Sequence, residues 1–234
     1  DIALARLERQ FGVKAALRAP RVPYRETLLG AAEGQGRHKK QTGGKGQFGD
    51  CWIRIKPAPR GTGYNFVDKI SGGVIPRQYV PAVDKGVQEA AERGALAGFP
   101  VVDFTVECFD GSYHSVDSNE ASFKMAGILA FKTLAPKCRP ALLEPLMTVE
   151  VFTPDAQLGD VLGDLSGRRG HILGTEPSAD GLGSVVRATV PMAELHLYAT
   201  RLQSMTHGYG TVKYRFQGFE MMPAEAAAKV GQVT

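Results

Sequence analysis

The order of apolar and polar residues along the chain predicts an alternation of short strands and helices. Residues 51–56 alternate between apolar side chains and charged or aromatic ones, which is the pattern of a half-buried strand. The same reasoning, with helical spacing of apolar residues, predicts these further elements: a strand near Tyr64–Val67, a helix from Val80 to Ala90, a strand at residues 101–108, and a long, largely buried helix after Asp117.

Residues 144–222 repeat a strand–helix–strand order twice. The resulting order, βαββαβ, is that of the ferredoxin-like fold. The predicted elements are a strand at Leu146–Phe152, a helix over Leu158–Leu165, strands at His171–Glu176 and Val185–Val190, a helix from Met192 to Leu202, and a strand at Thr211–Phe219.

These patterns divide the chain into four parts and predict an α+β fold class. Residues 1–24 carry a short amphipathic helix and a proline-containing link, which we expect to be the tail of a preceding domain. Residues 25–143 form one α/β unit, residues 144–222 form the ferredoxin-like domain, and residues 223–234 are a C-terminal tail. Because the chain begins without Met inside a predicted helix, we expect a fragment of a longer protein.

Composition narrows the class of protein. The 234 residues are 43% hydrophobic and 22% charged, which is ordinary for a globular domain and unlike disordered or collagen-like chains. The net charge of +4 is a mild excess, so a polyanion partner depends on where the basic residues cluster. Three separated cysteines favour a reduced, cytoplasmic setting. No apolar run is long enough to span a membrane, so we expect no membrane association.

One glycine-rich motif, Gly44–Gly49, matches G-x-G-x-x-G. A dinucleotide site needs a strand before this motif and a helix after it, whereas here a strand follows. The chain also lacks the P-loop motif and the H-R-D and D-F-G motifs of kinases. We therefore expect either a plain flexible loop or a loop whose backbone lies against a large partner.

Basic residues surround these glycines, with no acid between Arg37 and Lys45. The stretch reads as a polar loop before the strand at residues 51–56. Lysine and arginine beside bare glycine backbone suit contacts to phosphate. A solvated basic face is the alternative interpretation of the same residues.

A second polar loop, Asp110–Asp117, follows the strand at residues 101–108. If that strand is antiparallel to the strand at residues 51–56, this loop lies at the same end of the unit as the glycine motif. Exposed Tyr113 and His114 there could stack on bases or contact a nucleic-acid backbone. Asp117 and Glu120 have the spacing of a capping box, so we expect Asp117 to cap the long helix. The histidine spacing predicts no metal site.

A basic turn, Gly167–His171, follows the first helix of the ferredoxin-like domain. Arg168 and Arg169 there are explained by favourable charge at a helix C-terminus, with glycine as the cap. RNA contact by the same two arginines is the alternative.

Taken in order, these motifs resemble the C-terminal part of translation elongation factor G. Residues 41–49 are similar to the first tip loop of its fourth domain, and residues 110–118 to the second tip loop. The segments that carry the resemblance further are Ser71–Pro76, Gly98–Asp103, Gly159–Leu165 and Arg168–Gly174. The basic stretch Gly36–Lys40 is more similar to the elongation-factor-G-like paralogues.

The resemblance implies a fold and a function. The first unit would resemble domain 2 of ribosomal protein S5, and the second would be ferredoxin-like. The expected partner is the ribosome, with its ribosomal RNA and with transfer and messenger RNA in the decoding site. The RNA-binding residues that it implies are Gly111, Ser112, Tyr113, His114, Gln41, Thr42, Gly43, Gly44, Lys45, Gly46, Gln47, Lys39, Lys40, Arg168 and Arg169.

The resemblance also implies where the chemistry lies. No catalytic residue and no cofactor are expected in this chain, while GTP and Mg²⁺ would bind an amino-terminal domain of a GTPase parent. We expect a monomer that acts in moving transfer RNA and messenger RNA. Two alternatives stay open: ribosome recycling or rescue by a paralogue, and an RNA-processing enzyme that uses His114 with His38 or Asp117 as the second acid or base.

Overall fold

The structure is a computed structural model in which residues 2–14, 21–41, 44 and 46–230 are described. It divides into two compact units, and the division falls inside two long strands. The larger unit comprises Tyr24–Val149 and Tyr214–Thr234, and the smaller unit comprises Asp1–Pro23 and Glu150–Lys213.

The larger unit contains most of the regular structure. Its elements are β1 (Arg25–Leu28), β2 (Ala32–Lys40), β3 (Gln47–Pro57), β4 (Tyr64–Asp68), α2 (Val80–Glu92), β5 (Val101–Val102), β6 (Phe104–Ser112), α3 (Glu120–Leu134), the first part of β7 (Pro140–Thr153), the last part of β10 (Thr211–Met221) and α6 (Ala224–Val230).

A four-stranded sheet in the order β2–β3–β6–β4 forms the framework of this unit. β3 is antiparallel to β2 and to β6, while β4 is parallel to β6. The predicted alternation in β3 is confirmed, because Cys51, Ile53 and Ile55 are fully buried while Arg54 and Lys56 are not. Helices α2 and α3 pack on each other, and α3 packs on β2 and β3.

Helix α3 lies unusually close to its neighbours because glycines face it. A Cβ atom at Gly36 of β2 would lie 2.1 Å from the carbonyl oxygen of Ala126, and one at Gly127 of α3 would lie 2.4 Å from that of Val83 in α2. Gly49 and Gly86 make equally close approaches to α3. Backbone therefore packs directly on backbone, which only glycine permits.

The strand predicted at residues 101–108 is interrupted at Asp103. This residue has a φ of 60°, in the left-handed region, and it separates β5 from β6. Its buried carboxylate accepts the N–H groups of Gly61 and Gly63 and pairs with Arg60. These contacts stabilise a backbone conformation that is unfavourable for most residues other than glycine. The strand propensity of the flanking valines does not indicate this interruption.

The smaller unit contains α1 (Ile2–Phe11), the rest of β7 and β10, α4 (Leu158–Gly167), β8 (His171–Pro177), β9 (Ser184–Pro191) and α5 (Tyr198–Met205). β9 lies between β7 and β8, and β10 pairs with β7, so the last four strands follow the order β10–β7–β9–β8. This order confirms the predicted ferredoxin-like arrangement. The helix predicted from Met192 is split, because Leu197 has a φ of 56° and α5 begins only after it.

Ion pairs cross the solvent face of the four-stranded sheet. The carboxylate of Glu107 accepts from Lys56 and Lys69, each at 2.9 Å, and from Arg54 at 3.3 Å. Arg54 also pairs with Glu33 at 2.7 Å. Hydrogen bonds from Lys56 and Lys69 lower the pKa of Glu107 to about 2.

Gly127→Ala should destabilise the chain by about 1–3 kcal/mol, because the added methyl group overlaps the carbonyl of Val83. The matched control is Gly163→Ala in α4, where a Cβ atom meets nothing within 4 Å. Helix propensity should make that variant more stable by up to ~1 kcal/mol. Scanning calorimetry measures both changes, and equal effects of the two substitutions would contradict the packing argument.

Glu107→Gln should lower the free energy of unfolding, and the size of this loss should depend on pH. A carboxylate whose pKa is lowered in the folded state stabilises the fold above its unfolded pKa of about 4.3, and that contribution disappears as the pH falls toward about 2. The stability gap between wild type and variant should therefore shrink between about pH 4.5 and 2. Urea titrations across this range, with exposed Glu92→Gln as control, test it; a gap independent of pH would contradict it.

Candidate nucleic-acid interface

Two connections meet at one end of the four-stranded sheet. Residues 41–46 join β2 to β3, and residues 113–119 join β6 to α3. Because β3 is antiparallel to β6, with Asp50 opposite Ser112, the start of β3 and the end of β6 lie together. The expectation that both loops lie at the same end is confirmed, and we refer to these two segments as the tip loops.

Hydrogen bonds join the second tip loop to the first and to the start of β3. The N–H of Gly46 donates to Oδ1 of Asp117 at 3.0 Å, and the N–H of Phe48 donates to the backbone oxygen of Asp117 at 2.9 Å. The hydroxyl of Ser118 donates to the backbone oxygen of Phe48, also at 2.9 Å. Residues far apart in sequence thus form one connected surface.

Helix α3 is capped by Asn119, so the predicted capping box at Asp117 is wrong. The Asn119 side chain accepts the N–H of Ser122 at 2.9 Å, and α3 begins at Glu120. Asp117 lies two residues before the cap, and its carboxylate accepts a hydrogen bond from the N–H of Gly46. Asp and Asn are both good caps, so sequence spacing alone did not separate the two positions.

The ring of His114 is anchored at one nitrogen and half-exposed. Its Nδ1 accepts the N–H groups of Val116 at 3.3 Å and Asp117 at 3.2 Å, and its backbone N–H donates to the Ser118 hydroxyl at 2.9 Å. The side chain is 55% exposed. Since Nδ1 is an acceptor, the neutral ring carries its proton on Nε2, which makes that nitrogen a donor.

Of the three residues before His114, two contact the rest of the protein and one is half-exposed. Ser112 donates its hydroxyl to the buried carboxylate of Asp50 at 2.6 Å. A Cβ atom at Gly111 would lie 2.6 Å from the Ile75 side chain, so glycine is required there for packing. Tyr113 is half-exposed, and with His114 it presents an aromatic surface of the kind that stacks on bases.

The basic residues of the first loop lie mainly on a strand. Lys39 and Lys40 belong to β2, so the predicted polar loop begins later than expected, because strand pairing with Phe48 and Gln47 extends through them. Both lysines are exposed, and among the described residues no carboxylate pairs with either. The guanidinium of Arg37 lies over the Phe48 ring at 5.5 Å.

The remaining residues predicted in the first loop are only partly described. Gln41 and Gly44 are exposed, and Gly46 is buried. The side-chain oxygen of Gln47 lies 2.8 Å from Nε2 of His38. Thr42, Gly43 and Lys45 lie outside the described residues.

Arg168 and Arg169 lie in the smaller unit and are engaged by protein groups. Arg168 donates to Asp164 at 2.7 Å and to the backbone oxygen of Glu194 at 2.6 Å, and Arg169 pairs with the Glu194 carboxylate at 3.1 Å. The left-handed residue of this turn is Arg169, with a φ of 57°, so the predicted glycine cap is wrong. Internal bonds to Glu194 stabilise this conformation, and RNA contact by these arginines stays a prediction.

Sequence reasoning missed three residues that organise the tip loops: Phe48, Ser118 and Asn119. The Asn119-Glu120 pair just before an apolar run could have indicated the true cap. Within the described ranges no group of three metal-ligating side chains occurs, and no helix there is long and apolar enough to cross a membrane.

Comparison with known proteins places the chain in a family. The model for elongation factor G, domain IV, matches residues 20–139, and the model for the elongation factor G C-terminus matches residues 141–230. The chain is 49% identical over 230 residues to an elongation factor G-like protein of Thermotoga maritima and 50% identical over 230 residues to elongation factor G of Aquifex pyrophilus. Each match covers 98% of this chain, but only 34% and 33% of those relatives.

A solved structure extends the agreement to three dimensions. A crystal structure of a protein from Thermus thermophilus matches 99% of this chain with a TM-score of 0.89 and 45% sequence identity, and the match covers 34% of that protein. The predicted α+β fold class, with an S5-like unit followed by a ferredoxin-like one, is thereby confirmed. The chain spans about a third of the length of its relatives. From two family models that together match most of the chain, we conclude that it belongs to the elongation factor G family.

Proposed function

We propose that the chain is the ribosome-binding C-terminal part of a translational GTPase that promotes the movement of transfer RNA and messenger RNA in elongation. Membership of the family supports the role in translation. In this proposal residues 1–24 end domain III, residues 25–143 are domain IV, residues 144–222 are domain V, and residues 223–234 are a tail.

The observation that carries the proposal is the pair of hydrogen-bonded tip loops with cations beside them. Lys39 and Lys40 supply positive charge that no described carboxylate neutralises, which suits RNA phosphates. Tyr113 and His114 supply exposed rings for stacking or hydrogen bonding. We propose that these residues contact RNA in the decoding site, with residues 41–47 as the partner loop and Lys45 on phosphate.

GTP hydrolysis belongs, in this proposal, to a part of the protein outside the present sequence. The chain carries no P-loop motif, and its relatives are about three times as long. GTP and Mg²⁺ would bind in that other part, and the protein would act in the cytoplasm as a monomer. Arg168 and Arg169 are the weaker candidates for a contact to large-subunit RNA.

Ribosome recycling or rescue is the second candidate function. One relative is named elongation factor G-like and another elongation factor G, at 49% and 50% identity. Sequence similarity therefore does not separate an elongation factor G from an elongation-factor-G-like paralogue, for which we propose recycling or rescue. Both use the tip loops on the ribosome, so a functional assay must separate them.

An RNA-processing enzyme is less well supported by the geometry. His114 keeps its Nε2 available, but both candidate partners are engaged: Oδ1 of Asp117 accepts the N–H of Gly46, and Nε2 of His38 lies 2.8 Å from the side-chain oxygen of Gln47. General acid–base catalysis needs two groups that are free to exchange protons with substrate. Failure of the chain to cleave labelled RNA would exclude this candidate.

Changing Lys39 and Lys40 together to Glu should weaken binding to ribosomes and flatten its salt dependence. Each lost phosphate contact should reduce the slope of log affinity against log salt by about 0.7–0.9. The charge-matched control is Lys85→Glu with Lys132→Glu, two exposed lysines on α2 and α3. Equal slopes for both double variants would mean that Lys39 and Lys40 are only a solvated face.

His114→Ala in the full-length protein should slow transfer-RNA movement and leave ribosome-stimulated GTP hydrolysis near normal. The ring is lost from the tip loops, while the hydrolytic site lies in another domain. Stability should fall by less than about 1 kcal/mol, because the side chain is half-exposed. Rapid-kinetic measurement of phosphate release and transfer-RNA movement tests this, with His196→Ala as control.

Two outcomes of that measurement contradict the proposal. If phosphate release and transfer-RNA movement fall equally, or if neither falls, His114 is not the tip contact. If the wild-type protein splits ribosomes into subunits without moving transfer RNA, the recycling function replaces elongation.

A further inference from the structure

Asp117 makes three hydrogen bonds, one to the other tip loop, one to the start of β3 and one within its own loop. Its carboxylate accepts from Gly46, its backbone oxygen accepts from Phe48, and its N–H donates to Nδ1 of His114. We propose that Asp117 is a positioning residue that holds the tip loops as one binding unit and fixes the His114 ring with its Nε2–H free to donate. What this unit binds rests on the proposed function.

The contact with the first loop is sterically matched. A Cβ atom at Gly46 would lie 2.8 Å from Cγ and from Oδ2 of Asp117, so the carboxyl group occupies the space that a side chain at Gly46 would fill. Gly46 is buried, and the Asp117 side chain is only 22% exposed. Glycine is therefore required at this position because Asp117 is there.

The contact with His114 selects one tautomer. If Nδ1 carried the proton, it would face the two N–H groups of Val116 and Asp117 at 3.3 and 3.2 Å. Oδ2 of Asp117 lies 3.6 Å from Nδ1, which is too far for a compensating hydrogen bond. The neutral ring therefore keeps its proton on Nε2, at the other edge of the half-exposed imidazole.

This arrangement determines the chemistry of the ligand. The unit offers the Nε2–H donor of His114, whose ring centre lies 6.5 Å from that of Phe48, and Phe48 is paired with Lys39 across the sheet. Lys39 and the adjacent Lys40 supply exposed cations. Groups that accept hydrogen bonds and carry negative charge match it, namely the phosphate oxygens of an RNA backbone. Asp117 would not touch this backbone, and would act through Gly46 and His114.

A double-mutant cycle between Asp117 and Gly46 tests the proposal in the 234-residue chain. Asp117→Ala removes a charge-assisted hydrogen bond, and Gly46→Ala drives a methyl group into the carboxylate, so each should weaken binding to small ribosomal subunits about tenfold. In the double variant the carboxylate is absent, so binding should be no weaker than with Asp117→Ala alone. Glu92→Ala, which removes an exposed carboxylate on α2 outside the tip loops, is the control and should leave the affinity unchanged.

Nitrogen NMR of the free chain reports the tautomer of His114 directly, which a loss of overall stability would not change. The ¹⁵N shifts of His114 should report the Nε2–H tautomer in the wild type. Asp117→Ala keeps the backbone N–H of residue 117 but loses the carboxylate bond to Gly46, which in this proposal holds the N–H groups of residues 116 and 117 against Nδ1. The shifts of that variant should therefore report a mixture of tautomers. Additive losses in the double variant, or wild-type affinity together with an unchanged tautomer in Asp117→Ala, would overturn the proposal. If the wild type does not bind ribosomal subunits, the proposed function fails, while the ¹⁵N shifts and a thermal-stability cycle over the same variants still decide the role of Asp117.

Discussion

The direct packing of the α3 backbone on the four-stranded sheet and on α2 is the constraint on which the larger unit depends. Gly36 and Gly49 of the sheet, and Gly127 of α3, leave no room for a side chain at these contacts. Around these contacts, the side chains of Phe104, Phe123 and Phe131 are at most 1% exposed. These three rings supply much of the apolar area of the core. Gly49 abuts Ser122 in the first turn of α3, so this close contact brings the start of β3 against the start of the helix, next to the tip loops.

Charge is distributed unevenly over the sheet that carries the tip loops. On the solvent face Arg54, Lys56 and Lys69 are paired with the carboxylates of Glu33 and Glu107. Toward the tip loops, Lys39 and Lys40 have no such partners among the described carboxylates. A net charge of only +4 therefore conceals a local excess of cations. Electrostatic attraction to a polyanion depends on such local density more than on total charge.

Periodicity predicted the parts of the fold that are determined by burial. The alternation through Ile53 and Ile55 and the ferredoxin-like strand order required only that apolar residues face the core. The antiparallel course of β3 and β6 then brought the two tip loops to one end. These features are encoded over many residues, so a single exception does not obscure them.

The features that escaped sequence reasoning are determined by single tertiary contacts. Asp103 and Leu197 adopt left-handed backbone inside segments with strand and helix patterns. Asp117 and Asn119 are equally good caps by type, and only the contact with Gly46 assigns them different roles. Polarity placed Lys39 and Lys40 in a loop, although pairing with β3 makes them part of β2.

The central claim, that the tip loops contact RNA in the decoding site, is tested most directly by a cleavage probe attached to them. The three native cysteines are buried, and burial raises the pKa of each thiol, so a new exposed cysteine would react selectively. Tyr113→Cys, carrying tethered iron-EDTA, should cut small-subunit RNA at the decoding site when the full-length protein is bound to the ribosome. Cleavage confined to other regions, with the protein bound, would contradict the account.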